Sequence, residues 1–159
     1  MANFCQGILK IRGDKKDICN FIENNLTYYP NPNNLNVQLY FKETFENDYE
    51  IDYELHWEVR YVHLNNSKRH FIKDNQIIVH NEDDKYWITC VTLTACWDID
   101  IDYLVDISKD YNIDLKIYAF EKGMEFNRDI EVHKGKIIKN KYINFKNYTW
   151  ECICPTIGG

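Results

Sequence analysis

Residues 86–125 constrain the fold more than any other part of this chain: YWITCVTLTACWDIDIDYLVDISKDYNIDLKIYAFEKGME. Trp87, Val91, Leu93, Ala95 and Trp97, with Thr89 among them, alternate with Cys90, Thr92, Thr94 and Cys96. That period of two, rich in β-branched and aromatic residues, predicts a strand with one apolar face. Asp98 and Asp100 break the alternation. Ile101, Leu104, Val105, Ser108 and Tyr111 then fall at helical spacing, with Asp100 or Asp102 placed to cap the helix and Asn112 to stop it. Ile113, Leu115 and Ile117 resume the alternation. A strand–helix–strand unit of this length predicts a right-handed crossover between parallel strands. Trp97 shares the apolar parity of Trp87, so it is expected at least half buried against a helix.

The flanking segments supply more strands than helices. Phe4, Ile8, Cys5, Leu9 and Ile11 mark a first strand ended by Gly13–Asp14. Asp14 with Asp17 resembles a capping box, and Ile18, Phe21, Ile22 and Leu26 make residues 15–26 an amphipathic helix. Residues 29–34 (YPNPNN) read as a loop. Val37, Leu39 and Phe41 suggest a second strand. From 53 to 63, Tyr53, Leu55, Trp57, Val59 and Tyr61 oppose Glu54, His56, Glu58 and Arg60, as in a half-buried antiparallel strand. Residues 65–69 read as a loop. Strands over 71–80 and 86–97 flank a hairpin turn at 81–85, and strands over 124–133 and 136–145 flank Lys134–Gly135. Residues 148–154 read as a last strand, and 156–159 as a frayed tail.

The order β, α, several β, α, several β predicts one α+β domain over residues 1–155. It would be a mostly antiparallel sheet with two helices on one face. The ferredoxin-like βαββαβ plan, with inserted and appended strands, is the simplest topology that fits. A chain of 159 residues with 45% hydrophobic and 15% aromatic residues has room for one core. No stretch approaches the roughly 20 apolar residues of a membrane span, and the first residues lack the order of a signal peptide. The expected location is therefore the cytosol, where six cysteines are read as reduced thiols.

The opening Met1-Ala-Asn-Phe-Cys5, followed by an alternating strand and Gly13, resembles the M-P-N-W-C start of the YubB-type (Api-type) ferredoxin-like domain family of plasmids, phages and other mobile elements. Thr94-Ala95-Cys96-Trp97 is similar to that family's T-A-W strand end. Tyr118-Ala-Phe-Glu121-Lys-Gly123-Met-Glu-Phe126 is similar to its Y-x-x-E-x-G-x-x-F segment. The matches come in order and span nearly the whole chain. Two departures stand at the crossover: the tryptophan is shifted by one, and Asp98-Ile-Asp100-Ile-Asp102 replaces a serine and a proline pair. Asn127 also stands where a small residue is commoner. The resemblance implies a ferredoxin-like fold and a mobile-element setting, and it implies no catalytic residues.

Nor do the residues themselves announce a reaction. Cys152 and Cys154, or Cys90 and Cys96, share strand parity, but the paired C-x₂–₄-C knuckles of zinc sites are absent. The five histidines (His56, His63, His70, His80 and His133) are scattered, so no nucleophile–base pair can be argued. Asp98-x-Asp100-x-Asp102 lacks the glycine and glutamate of an EF-hand loop, and there is no phosphate-binding glycine motif. No enzyme activity, metal or cofactor is expected.

Charge is the more informative feature. The net charge of −6 is unevenly spread. Residues 43–58 hold seven acids and no Lys or Arg, residues 98–114 six Asp against Lys109, and residues 116–146 eight bases against four acids. Acids spaced along an extended surface can imitate a phosphate backbone and occupy the basic groove of a nucleic-acid-binding protein. The expectation is a non-enzymatic mobile-element protein that binds a host macromolecule. Its most specific form is an acidic inhibitor of a nucleic-acid-handling host defence system such as a CRISPR effector (an anti-CRISPR). Asp48, Tyr49, Glu50, Asp52, Tyr53, Glu54, Asp98, Asp100 and Asp102 are the candidate contact residues, with Tyr49 and Tyr53 as aromatic anchors. The alternative is an RNA- or single-strand-binding module that uses the open sheet face. The expected oligomeric state is a monomer or an edge-strand homodimer, and no membrane partner is expected.

Overall fold

The computed structural model describes residues 3–27, 41–55 and 61–158. The expected loop at 29–34, the strand residues Val37 and Leu39, and His56, Trp57, Glu58, Val59 and Arg60 lie outside the described residues.

The elements run β1 (Phe4–Gly13), α1 (Lys15–Asn25), β2 (Leu26–Thr27), β3 (Phe41–Glu46), β4 (Glu50–Leu55), β5 (Val62–Leu64), β6 (His70–Ile72) and β7 (Gln76–Asn81). They continue with β8 (Trp87–Cys96), α2 (Ile101–Asp110), β9 (Asp114–Glu121), β10 (Phe126–His133), β11 (Lys136–Asn144) and α3 (Tyr148–Glu151). The architecture is α+β. Among the described residues, one sheet of eleven strands follows the order β11-β10-β9-β1-β8 and then forks. The C-terminal end of β8 pairs with β6, which leads to β5 and β2; its N-terminal end pairs with β7, which leads to β4 and β3. Every pairing among the described residues is antiparallel. β8 and β9, joined by α2, both pair with β1, which lies between them. They are therefore parallel to one another without being neighbours, and the crossover spans a strand.

Alternation gives the sheet two unlike faces. Leu9 and Ile11 of β1, Val91 and Leu93 of β8, Leu115 and Ile117 of β9, and Ile130 and Val132 of β10 share one core with Ile18, Phe21 and Ile22 of α1 and Leu104 and Ile107 of α2. Burial of these aliphatic side chains, each worth roughly 1.5–3 kcal/mol, fixes the strand registers, because a one-residue slip would turn the row to solvent. The even positions of β1, β8 and β9 lie on the other face. There Phe120, Tyr148 and Cys152 form a second, smaller core with Tyr118, Phe145 and Cys154 packed against it. The chain after β11 thus returns across the far side of the sheet.

Three local expectations are corrected. Residues 148–154 hold one helical turn, α3, in place of a strand. Residues 71–80 are two strands rather than one, because Asp74 at their junction accepts the Thr92 backbone N–H at 2.8 Å and separates β6 from β7. Asp14 stands at the N-cap of α1 without a side-chain capping bond; Asp17 accepts instead from Asn112 Nδ2 at 2.6 Å and ties the start of α1 to the end of α2. Residues 156–158 lie against the sheet. Gly158 has φ +85°, and a Cβ there would run into the Phe120 carbonyl, so glycine is what lets the tail lie so close.

Candidate interaction surfaces

At the mouth of the crossover, Asp100 caps α2 by accepting the Tyr103 N–H at 3.2 Å. Asp98 accepts from Ile99 N at 2.7 Å and pairs with Arg128 at 3.3 Å. Arg128 is buried, reaches Asn140 at 2.7 Å and packs over Tyr142. Two of the three crossover aspartates are thus engaged in structure, leaving Asp102 exposed without an ion pair among the described residues.

Trp97 overturns the expectation of burial. It is 54% exposed. β8 ends at Cys96, and Trp97 adopts φ +72°. A non-glycine residue in the left-handed region carries strain and is held there by its surroundings. Here the Trp97 N–H donates to the Asn3 carbonyl at 2.8 Å. Asn3 also lies beside Gly123, where any Cβ would collide with it. The neighbouring Met124 is 63% exposed. The mouth therefore presents a strained, outward tryptophan on a rim that also carries Met124.

Helix α2 extends this rim with charge. Asp102, Asp106 and Asp110 stand four residues apart and all are exposed. At ~1.5 Å rise per residue their carboxylates recur about every 6 Å along the axis. Folding does not call for them all: like charges at this spacing destabilise a helix, and an acid in the last turn opposes the macrodipole. Asp106 and Asp110 were not among the sequence candidates, although their i, i+4 spacing was legible.

The β3–β4 hairpin carries the other acids. Glu43, Glu46, Asp48 and Glu54 are exposed, and Tyr49 at its tip is 70% exposed. Glu46 pairs with Lys15. Tyr53 is not an outward anchor: it is 1% exposed in the main core, with its hydroxyl donating to Glu23 at 3.1 Å, and burial raises its pKa. Glu50 and Asp52 are only partly exposed, and one Asp52 carboxylate oxygen is buried without a partner among the described residues. The structure does not gather the nine candidates at one place. Glu50 is level with His80, and His80 with Ile88, whereas Asp98 lies past the opposite end of β8, roughly 30 Å away at ~3.3 Å per residue.

Cys5, Cys152 and His70 are each buried and tied into the structure. Burial pushes the Cys5 thiol up to about 12, with Asp98 and Glu121 adding to the effect. Cys152 is buried beside Asn127, whose Nδ2 lies 3.3 Å from its sulfur and whose Oδ1 accepts from the Tyr148 hydroxyl at 2.8 Å. His70 is 1% exposed, bonded through Nδ1 to Ser67 Oγ at 2.8 Å and through Nε2 to the Asp100 N–H at 3.2 Å, and stacked on Tyr103. No group of three or more His, Cys, Asp or Glu among the described residues is arranged to hold a metal ion. No helix there is long and apolar enough to cross a membrane.

The open face of the sheet carries a groove of about 740 Å³ along β1. Phe4, Ile8, Tyr118 and Phe120 line it together with Lys10, Lys73 and Lys116, and no carboxylate is among the described lining residues. No family model matches the chain, and no curated protein or solved structure matches it significantly.

Proposed function

We propose that this protein is a non-enzymatic binding protein of a mobile genetic element, built on an enlarged ferredoxin-like core and acting in the host cytosol. Its partner would be a basic, nucleic-acid-handling host protein, most specifically a defence effector of the CRISPR type, which it would inhibit. The observation that carries this reading is the α2 stripe: three exposed aspartates at a spacing that folding disfavours. A carboxylate about every 6 Å answers to every second phosphate of a strand that advances ~3.4 Å per charge. Trp97 and Met124 at the crossover mouth add the aromatic and thioether anchors common at protein interfaces. The β3–β4 hairpin, with Tyr49, would form a separate acidic contact at the other end of the molecule. The plasmid and phage setting rests on the resemblance of the Thr94–Trp97 and Tyr118–Phe126 segments and the N-terminus to the YubB-type family.

The test is a charge-neutral triple variant, Asp102→Asn, Asp106→Asn and Asp110→Asn, titrated against candidate effectors at two salt concentrations. Association should slow by about tenfold or more and lose most of its salt dependence, with thermal stability unchanged or higher. Equal association rates for the variant and the wild type would remove α2 from the interface and the reading with it.

A further inference from the structure

The groove on the open face has the opposite chemistry to α2. Lys10 and Lys116 stand directly opposite one another on β1 and β9, an arrangement of like charges that destabilises a sheet. Lys116 is partly offset by Glu131 at 3.4 Å, while Lys10 has no ion pair among the described residues. Thr94, 1% exposed and also lining the groove, has a hydroxyl with no hydrogen-bond partner among the described residues. Apolar and aromatic side chains precede the lysines along the same floor: Phe4, then Ile8, which is 49% exposed, with Tyr118 beside it across the β1–β9 pairing. From Phe4 to Lys10 the groove follows six residues of strand, about 20 Å, which is longer than one nucleotide needs. A molecule of net charge −6 has thus placed two opposed lysines, one of them beside Glu131, on a floor whose described lining residues include no carboxylate.

We propose that this groove is a binding site for single-stranded nucleic acid, with a base lying on Tyr118 and Ile8 and a phosphate bridging Lys10 and Lys116. Aromatic faces accept any base, and a cation pair beside them holds the backbone, the combination that single-strand binders use. The phosphate relieves the repulsion between the two lysines, which gives the like-charge pair a purpose that folding does not. The site is independent of α2, because the aspartates belong to the helix layer and the groove to the opposite face.

The experiment uses the full chain and a fluorescently labelled ten-nucleotide oligo-uridine at about 50 mM and about 200 mM salt. Unlabelled uridine monophosphate and a duplex of the same length serve as competitors. Wild type should bind the single strand and be displaced poorly by the duplex, whose bases are hidden, and by the mononucleotide. The double variant Lys10→Gln, Lys116→Gln should bind at least tenfold more weakly, with the slope of log K against log salt smaller by about 0.7, for the one phosphate that the two lysines share. Its melting temperature should hold or rise, because a repulsive pair has gone. Tyr118→Leu should weaken binding about tenfold with less change in the salt slope. Three results would each overturn the proposal: no single-strand binding at the lower salt, double-variant binding equal to wild type, or displacement by mononucleotide or duplex as effective as by the strand itself. Failure here leaves the α2 titration untouched, so the two ideas fall separately.

Discussion

Lowering the pH should destabilise this protein through one side chain, His70. Its Nε2 accepts the Asp100 N–H, so the ring proton sits on Nδ1 and is donated to Ser67 Oγ. Protonating Nε2 would set one donor against another at the start of α2, in a site with almost no water. Burial accordingly lowers the His70 pKa from 6.5 to about 4, the nearby Arg69 charge adding to the effect and Asp100 opposing it. The unfolded chain binds this proton near its ordinary pKa and the folded chain does so only near 4. Between those values the unfolded state holds more protons, so stability is full above about pH 6.5, falls as pH drops and levels off below about pH 4. From about pH 7.5 to about pH 5 the loss is about 2 kcal/mol, out of about 3 kcal/mol for the whole shift.

The assay is urea denaturation at four or five pH values for the wild type and for His70→Gln. The variant loses the ring packing on Tyr103 and should be less stable at neutral pH. Its own decline toward pH 5 should be shallower than the wild type's by about 2 kcal/mol, and the difference isolates His70 from His63, which burial shifts in the same direction. Parallel pH profiles, or a wild type that gains stability on acidification relative to the variant, would refute the assignment.

Three further outcomes can be checked. Trp97→Gly should change stability by no more than about 1 kcal/mol, because relief of the left-handed backbone offsets the packing lost, while weakening partner binding; a loss of about 3–5 kcal/mol, the cost of a buried aromatic, would show that Trp97 is a core residue. Glu121, fully buried, accepts the N–H groups of Gly123 and Met124 in the β9–β10 turn; Glu121→Ala should cost about 2–4 kcal/mol by chemical denaturation, since two turn donors lose their acceptor. Under native conditions a thiol reagent should label exposed Cys90 and spare buried Cys5 and Cys152, which should react only on unfolding; mass spectrometry of labelled peptides reads this directly.

The elements that were legible in the sequence are those whose pattern is local. α2 announced itself by spacing, cap and stop: Asp100 caps it, and Asn112 takes φ +56° beyond it. The β7–β8 and β10–β11 hairpins followed from alternation around short polar turns. What failed depended on a partner distant in sequence. Nothing near Asp74 reveals that its carboxylate will accept from Thr92 and split one apparent strand into two. Trp97 had the correct parity for the core, but parity holds only while the strand continues, and the Asn3 carbonyl holds the chain in a left-handed step one residue beyond it. Residues 148–154 alternate well enough for a strand, yet their place is over Phe120, where a single helical turn seats Tyr148 and Cys152 together. Tyr53 belongs to the apolar row of its own strand, and that row, not the acids on either side of it, decides its burial.

Parity also decides which surfaces compete. The aspartates that define the proposed protein contact project from the layer that covers the odd face of β1, and the proposed nucleic-acid groove lies on its even face. A single small ligand cannot reach both, and neither surface needs to open for the other to fill. If both proposals hold, the basic partner and the strand occupy one molecule at the same time, as would happen where the partner already carries a nucleic acid. Binding to such a loaded partner should then respond to the α2 triple variant and to the Lys10→Gln, Lys116→Gln variant by free-energy losses that add, as they do for separated sites. Strong non-additivity would mean that one ligand wraps the edge of the sheet and touches both faces, and the two surfaces would have to be counted as one.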